Sequence, residues 1–178
     1  MYMDVIKFWF EEINQSSWFA KSDEFDLQLK KRFLALHDRA VNCELYQWRD
    51  SALGCLAEII VLDQFSRNIY RDKPQSFAYD SLALALAQSA INRGFDNELT
   101  PEQRSFMYMP YMHSESPFIH KVAVELYTKL GIEKNLHFEL KHKAIIDRFG
   151  RYPHRNKILG RVSAPEEQSF LKTPDSGF

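Results

Sequence analysis

Two segments whose starts lie 84 residues apart carry the same order of chemically capable residues. They are Leu62-Asp63-Gln64-Phe65-Ser66-Arg67-Asn68-Ile69-Tyr70-Arg71 and Ile146-Asp147-Arg148-Phe149-Gly150-Arg151-Tyr152-Pro153-His154-Arg155. The Asp, the Phe and both Arg positions coincide, and each segment reads as an apolar helix running into a basic loop. One account is a shared helix-end logic, since a cation near a helix C-terminus is favourable. The other is a pair of equivalent corners, each offering guanidinium groups held by a carboxylate. The second segment continues to Arg161, so that Arg148, Arg151, Arg155, Lys157 and Arg161 stand together without one acid among them. Four of those five are Arg, whose planar fork suits bidentate recognition of carboxylate or phosphate. The candidate ligand-binding set is therefore Asp63, Arg67, Asn68, Arg71, Arg148, Arg151, Arg155, Asn156 and Arg161, with Asp63 and Asp147 orienting guanidiniums. The competing account has the same arginines pinning irregular loops through Asp63, Asp80, Glu115 or Asp147.

Asp63 follows Ile59 and Ile60 by one helical turn, so it faces an apolar interior and needs a partner, for which Arg67 at i+4 is the natural choice. Met112-His113-Ser114-Glu115 follows Pro110 and mixes a base, a hydroxyl and a carboxylate. With His154 it supplies the candidate catalytic residues: His113 or His154 as general base and Glu115 as its orienting carboxylate. His142 falls on the stripe Phe138, Ile145, Phe149 and reads as a satisfied core histidine, whereas His37, His120 and His137 read as surface. No His-Glu-x-x-His, no Cys pair motif, no Gly-rich phosphate loop and no Gly-x-Ser-x-Gly elbow is present, so no metal and no cofactor is expected. Cys43 and Cys55 read as small buried hydrophobes.

The elements that must position these groups are helical. Phe25, Leu29, Phe33, Leu36 and Ala40 predict an amphipathic helix over 23–41, opened by Asp23, Glu24 and Asp26. Residues 51–65 are apolar nearly all round and predict a central helix. Phe77–Ile91, a capping box at Thr100-Pro101-Glu102-Gln103, the stripe Phe118, Val122, Leu126, Leu130 and the stripe ending at Phe149 predict four more. Pro110 is expected to end or kink its helix, and Ser163-Ala164-Pro165-Glu166 to begin a last short one. Six Gly and seven Pro in 178 residues fall well below the usual share of about 12%, against a sandwich of many short strands. No segment alternates with period two. The fold class is all-α, one domain over 1–178 with a tail at 173–178.

A formal net charge of −1 argues against bulk nucleic-acid binding, and no signal peptide or membrane span is read, so the expectation is a soluble cytoplasmic protein. The motifs Leu62–Asn68, Tyr108–Glu115 and Arg148–Asn156 with Leu159-Gly160-Arg161 resemble the bacterial family called domain of unknown function 924. Phe8-Trp9-Phe10, Trp18-Phe19 and Phe25-Asp26 also look similar to it. Ser66 stands where that family often has Pro, and Tyr111 and Tyr152 where Phe is common. The resemblance implies a compact antiparallel helical array similar to tetratricopeptide-type helix pairs, and implies no settled activity. Three functions stay open: a binding module for a small anion or peptide carboxylate, a small hydrolase or transferase on a phosphate- or carboxylate-bearing metabolite, and an interaction scaffold. The scaffold would use exposed aromatics such as Trp9, Trp18 or Trp48, with purely structural arginines.

Overall fold

A computed structural model describes residues 1–174, 176 and 177, so that Asp175 and Phe178 of the expected tail lie outside the described residues. Among the described residues nine α-helices follow in chain order: α1 Tyr2–Lys7, α2 Asp23–Val41, α3 Ala52–Ile60, α4 Ser66–Ile69, α5 Asp80–Asn92, α6 Pro101–Met112, α7 Pro117–Leu130, α8 Glu133–Phe149 and α9 Pro165–Phe170. Among the described residues there is no strand, as the sparse turn formers require. Helix α2 has the expected bounds, and its N-cap Ser22 accepts from the Phe25 amide at 3.2 Å. Thr100 and Gln103 make the reciprocal capping box at the head of α6. Pro110 sits in the last turn of α6, which ends two residues later.

The chain divides into two compact units: Met1–Arg71 with Gln75–Pro110, and Asp72–Pro74 with Tyr111–Phe178. In the first, α3 is the central helix, with eight of its nine residues buried, and α1 and α5 pack on it. An aromatic core ties α2 to the turns that follow α1 and α3: Phe8–Phe33 and Phe33–Phe65 ring centroids are 4.9 Å apart, and Trp9–Phe65 5.6 Å. Trp9 is therefore fully buried, not an interaction aromatic, because its ring fills that core. Past Ile60 the helix widens into a π-turn, Val61–Phe65, before α4, so the expected single helix over 51–65 is α3 plus this turn.

In the second unit α7 and α8 pack on one another across Gly131. Ile145, Ile146 and Tyr152, with Phe149 and Phe170 against them, form a core cluster. The buried stripe of α7 is His120, Ala123, Tyr127, and Phe118 is exposed. His120 and, in α2, His37 are thus fully buried, which corrects their reading as surface: each stands three residues before a buried alanine on the packed face. Cys43 is exposed, because α2 ends at Val41 and the chain turns away through a left-handed residue there (φ +58°). Among the described residues no helix is long and apolar enough to cross a membrane.

Candidate functional site

The first corner belongs to the first unit. The π-turn carries consecutive Asp63 and Gln64 into the interior, where Asp63 is 1% exposed. Asp63 Oδ1 lies 3.0 Å from Arg67 Nη1, and Gln64 Nε2 donates to Asp63 Oδ2 at 2.6 Å. Arg67 also donates through both terminal nitrogens to Asp80, at 2.9 and 3.1 Å, at the start of α5. Arg71 Nη2 and Asn68 Nδ2 each donate to Asp26 Oδ1 at 2.8 Å, and Arg71 Nε to Asp26 Oδ2. Behind this edge, His37 Nε2 meets Ser66 Oγ at 2.8 Å, while Ser66 donates to the Leu62 carbonyl. The hydroxyl proton is spent on Leu62, so His37 must donate; burial holds it below the ordinary imidazole pKa and keeps it neutral.

The second corner belongs to the second unit. Gly150 ends α8 in the left-handed conformation (φ +68°), and Tyr152 then turns inward. The Tyr152 amide donates to Glu115 Oε1 at 2.7 Å, and its hydroxyl donates to the Met112 carbonyl at 2.5 Å. Arg161 grips Glu115 with both terminal nitrogens, at 2.7 and 2.9 Å, and gives Nε to Asn156 Oδ1. Arg151 holds Glu167 with Nε and Nη2, at 2.7 and 2.8 Å, and Asn156 Nδ2 donates to Ser163 and Glu167. Arg155, 6% exposed, lies over the Tyr152 ring at 4.7 Å and donates to the His113 carbonyl at 3.0 Å. Arg148 is exposed and stacks on Phe149.

The Met112–Glu115 segment and the arginine loop therefore converge on Tyr152, a convergence that adjacency in sequence did not establish. Burial alone would raise the Glu115 pKa; Arg161 and the Tyr152 amide outweigh it and hold the group below the usual carboxylate range. Arg151, with the Ala164 amide and Asn156, outweighs burial at Glu167 and holds its carboxyl at about 2. Burial pushes His142 down to about 3 against the bond from its Nδ1 to the Phe138 carbonyl, and the nearby His113, His120 and His154 add to the effect. His142 is thus a neutral, satisfied core histidine, as expected. Asp147, expected to orient a guanidinium, is exposed and pairs with Lys143 one turn back, because α8 turns that face to solvent.

The family model described as "Bacterial protein of unknown function (DUF924)" matches residues 5–175. The chain belongs to the DUF924 family. Among solved structures, the protein of unknown function ATU0120 from Agrobacterium tumefaciens is 37% identical over 96% of both chains, with a TM-score of 0.91. No curated protein matches the chain. Ser66 and Tyr152 both have visible work in the fold: Ser66 receives His37, and the Tyr152 hydroxyl reaches Met112.

Three buried or half-buried acids escaped sequence reasoning: Asp26 and Glu167 in these networks, and Glu139, which meets His120 Nδ1 at 2.7 Å. Asp26, which the sequence presents only as a first-turn acid on the helix dipole, stands three residues before buried Leu29 on the packed face of α2. Glu167 is at the third position of α9, where a carboxylate also caps the Ala164 amide at 2.7 Å. Glu139 stands three residues before buried His142 in α8. Helical spacing from neighbouring core positions is the signal that would have found Asp26 and Glu139, and the capping position the one that would have found Glu167. Among the described residues, no group of three or more His, Cys, Asp or Glu side chains is arranged to hold a metal ion.

Proposed function

We propose that the protein is a helical binding module whose second unit takes a small anion, a phosphate or a carboxylate, at Arg155 with His113 and His154 alongside. The observation that carries this reading is the presentation of Arg155: its guanidinium is buried, lies over the Tyr152 ring and donates to the His113 carbonyl. A planar donor held in a low-dielectric setting loses little entropy on binding a planar or tetrahedral anion. Arg151, Arg161 and Asn156 act in this reading as the rigid frame, since their polar groups already serve Glu167, Glu115 and one another. Arg67, Asn68 and Arg71 play the same part in the first unit, with Asp63, Asp80 and Asp26. Arg148 lends only peripheral charge.

The ion pairs of Arg67, Arg71, Arg151 and Arg161 favour a second reading, in which every guanidinium is structural and the protein is an interaction scaffold. In the hydrolase or transferase alternative, His113 or His154 would be the base, and Glu115, already held by Arg161, would orient without taking a proton. Thermal denaturation in inorganic phosphate at low and moderate salt separates the first two readings. Phosphate should raise the melting temperature of the wild type, and Arg155→Lys, which keeps the charge but loses the fork, should abolish the rise while folding normally. One charge-assisted hydrogen bond is worth about 1.5–3 kcal/mol, so affinity should fall about tenfold or more. An equal rise in both proteins, or no rise in the wild type, overturns the anion reading.

A further inference from the structure

Two fully buried residues of the second unit, His120 and Glu139, stand outside the arginine pairs of both corners, and their hydrogen bonds fix where the protons are. His120 Nε2 lies 2.8 Å from the Ser114 carbonyl, an acceptor only, so Nε2 carries a hydrogen. The Tyr152 hydroxyl, 3.2 Å from the same nitrogen, has given its proton to Met112 and cannot supply one. The other nitrogen, Nδ1, lies 2.7 Å from Glu139 Oε1, and one proton must stand between them. Either His120 is an imidazolium facing a carboxylate, or Glu139 is an acid facing a neutral ring.

Glu139 Oε2 decides between the two. It is buried and has no hydrogen-bond partner among the described residues. An ionised carboxylate would leave charge on a bare oxygen in the interior, whereas the acid leaves only a carbonyl-like lone pair. Glu58 shows the contrast within the same chain: equally buried, it receives Arg49 donors on both oxygens, at 2.8 and 2.7 Å. We infer that Glu139 is a neutral carboxylic acid donating its O–H to Nδ1 of a neutral His120, and that this pair is the positioning element of the 113–115 turn. Burial raises the Glu139 pKa in the same direction, against the pull of His120 and Lys143.

The pair acts through Ser114. Its carbonyl, pinned by Nε2–H, sets the peptide between His113 and Glu115, and Glu115 in turn receives the Tyr152 amide and Arg161. The functional meaning of that positioning rests on the anion reading above, but the protonation state does not. Histidine-selective labelling of the intact wild type, read by long-range proton–nitrogen correlation at pH 7, should show His120 neutral with its proton on Nε2. An imidazolium pattern, or a proton on Nδ1 alone, overturns the assignment. Glu139→Gln can donate its amide N–H to Nδ1, so it should keep the tautomer and slow exchange of the Tyr152 amide. Glu139→Leu keeps Nε2–H on the Ser114 carbonyl but leaves Nδ1 without its donor, so the ring is held at one end only and that amide should exchange about tenfold faster or more. If the Gln variant exchanges as fast as the Leu variant, or neither differs from wild type, the positioning role fails. If phosphate leaves the wild type unshifted, the anion reading falls alone and the histidine spectrum still decides the protonation state.

Discussion

In the first corner the helix carries on past its arginine, whereas in the second it stops at Phe149, two residues before it. The residue between Phe and Arg makes the difference: Ser66 keeps right-handed helical angles (φ −56°), and Gly150 adopts φ +68°. With the helix intact, Arg67 reaches back one turn to Asp63. With the helix broken, Arg151 takes its carboxylate from Glu167, sixteen residues ahead, and Asp147 is left to Lys143 on the surface. Identical residue orders thus yield unlike networks, because i,i+4 pairing requires an unbroken helix between the partners. The first corner is an interior ion cluster fixed from α2 and α5; the second is a half-exposed loop laced to α9 and to the turn after α6.

If that contrast is right, the first corner should be the more fragile. Arg67→Ala removes the cation shared by Asp63 and Asp80 and should cost about 3–5 kcal/mol, read as a lowered urea midpoint. A loss no greater than that of Arg151→Ala would erase the distinction between interior cluster and loop. Ser66→Ala should cost less, about 1–3 kcal/mol, because the buried His37 N–H loses its acceptor. Ser66→Gly, which imports the second corner's residue, should cost about 1 kcal/mol more than Ser66→Ala, since glycine is a poor helix former. Equal losses for the two variants would show that the backbone at this position is not under helical constraint.

How far the two corners could be foreseen follows the same division. Asp63 and its partner Arg67 were legible, because both lie in one helix and the apolar spacing of Ile59 and Ile60 turns Asp63 inward. Most helices were legible too, for α2 and α6 announce their ends with caps. The polar members of the buried faces were missed: His37, His120, Asp26 and Glu139 break an apolar count and so drop out of it, although each stands at core spacing. Long-range choices were also out of reach. Nothing in composition says that Arg161 rather than Arg151 takes Glu115, since that depends on how the loop after Gly150 folds back on Tyr152.

The break at Gly150 can be tested directly. No atom stands within 4 Å of where a Cβ would be, so Gly150→Ala should cost only the left-handed backbone term, about 1–2 kcal/mol. A melting shift much beyond that would mean the second corner is more tightly packed than its exposure implies.

The smallest effect is the most specific to the second corner, and it appears only in acid. Glu167 is held at about 2 by Arg151, against the opposing effect of burial and with help from the Ala164 amide and Asn156. Its folded pKa is depressed, so its contribution is complete above the usual carboxylate range and is lost as pH falls from there toward 2. Urea midpoints between pH 5 and 2 should therefore fall less steeply in Arg151→Ala than in the wild type, and the two proteins should converge in stability at the acid end. Glu115 titrates in the same direction through Arg161, so part of the slope should survive the substitution. Parallel acid slopes in the two proteins would show that Arg151 is not what keeps Glu167 ionised, and the second corner would lose the one carboxylate it does not share with the 113–115 turn.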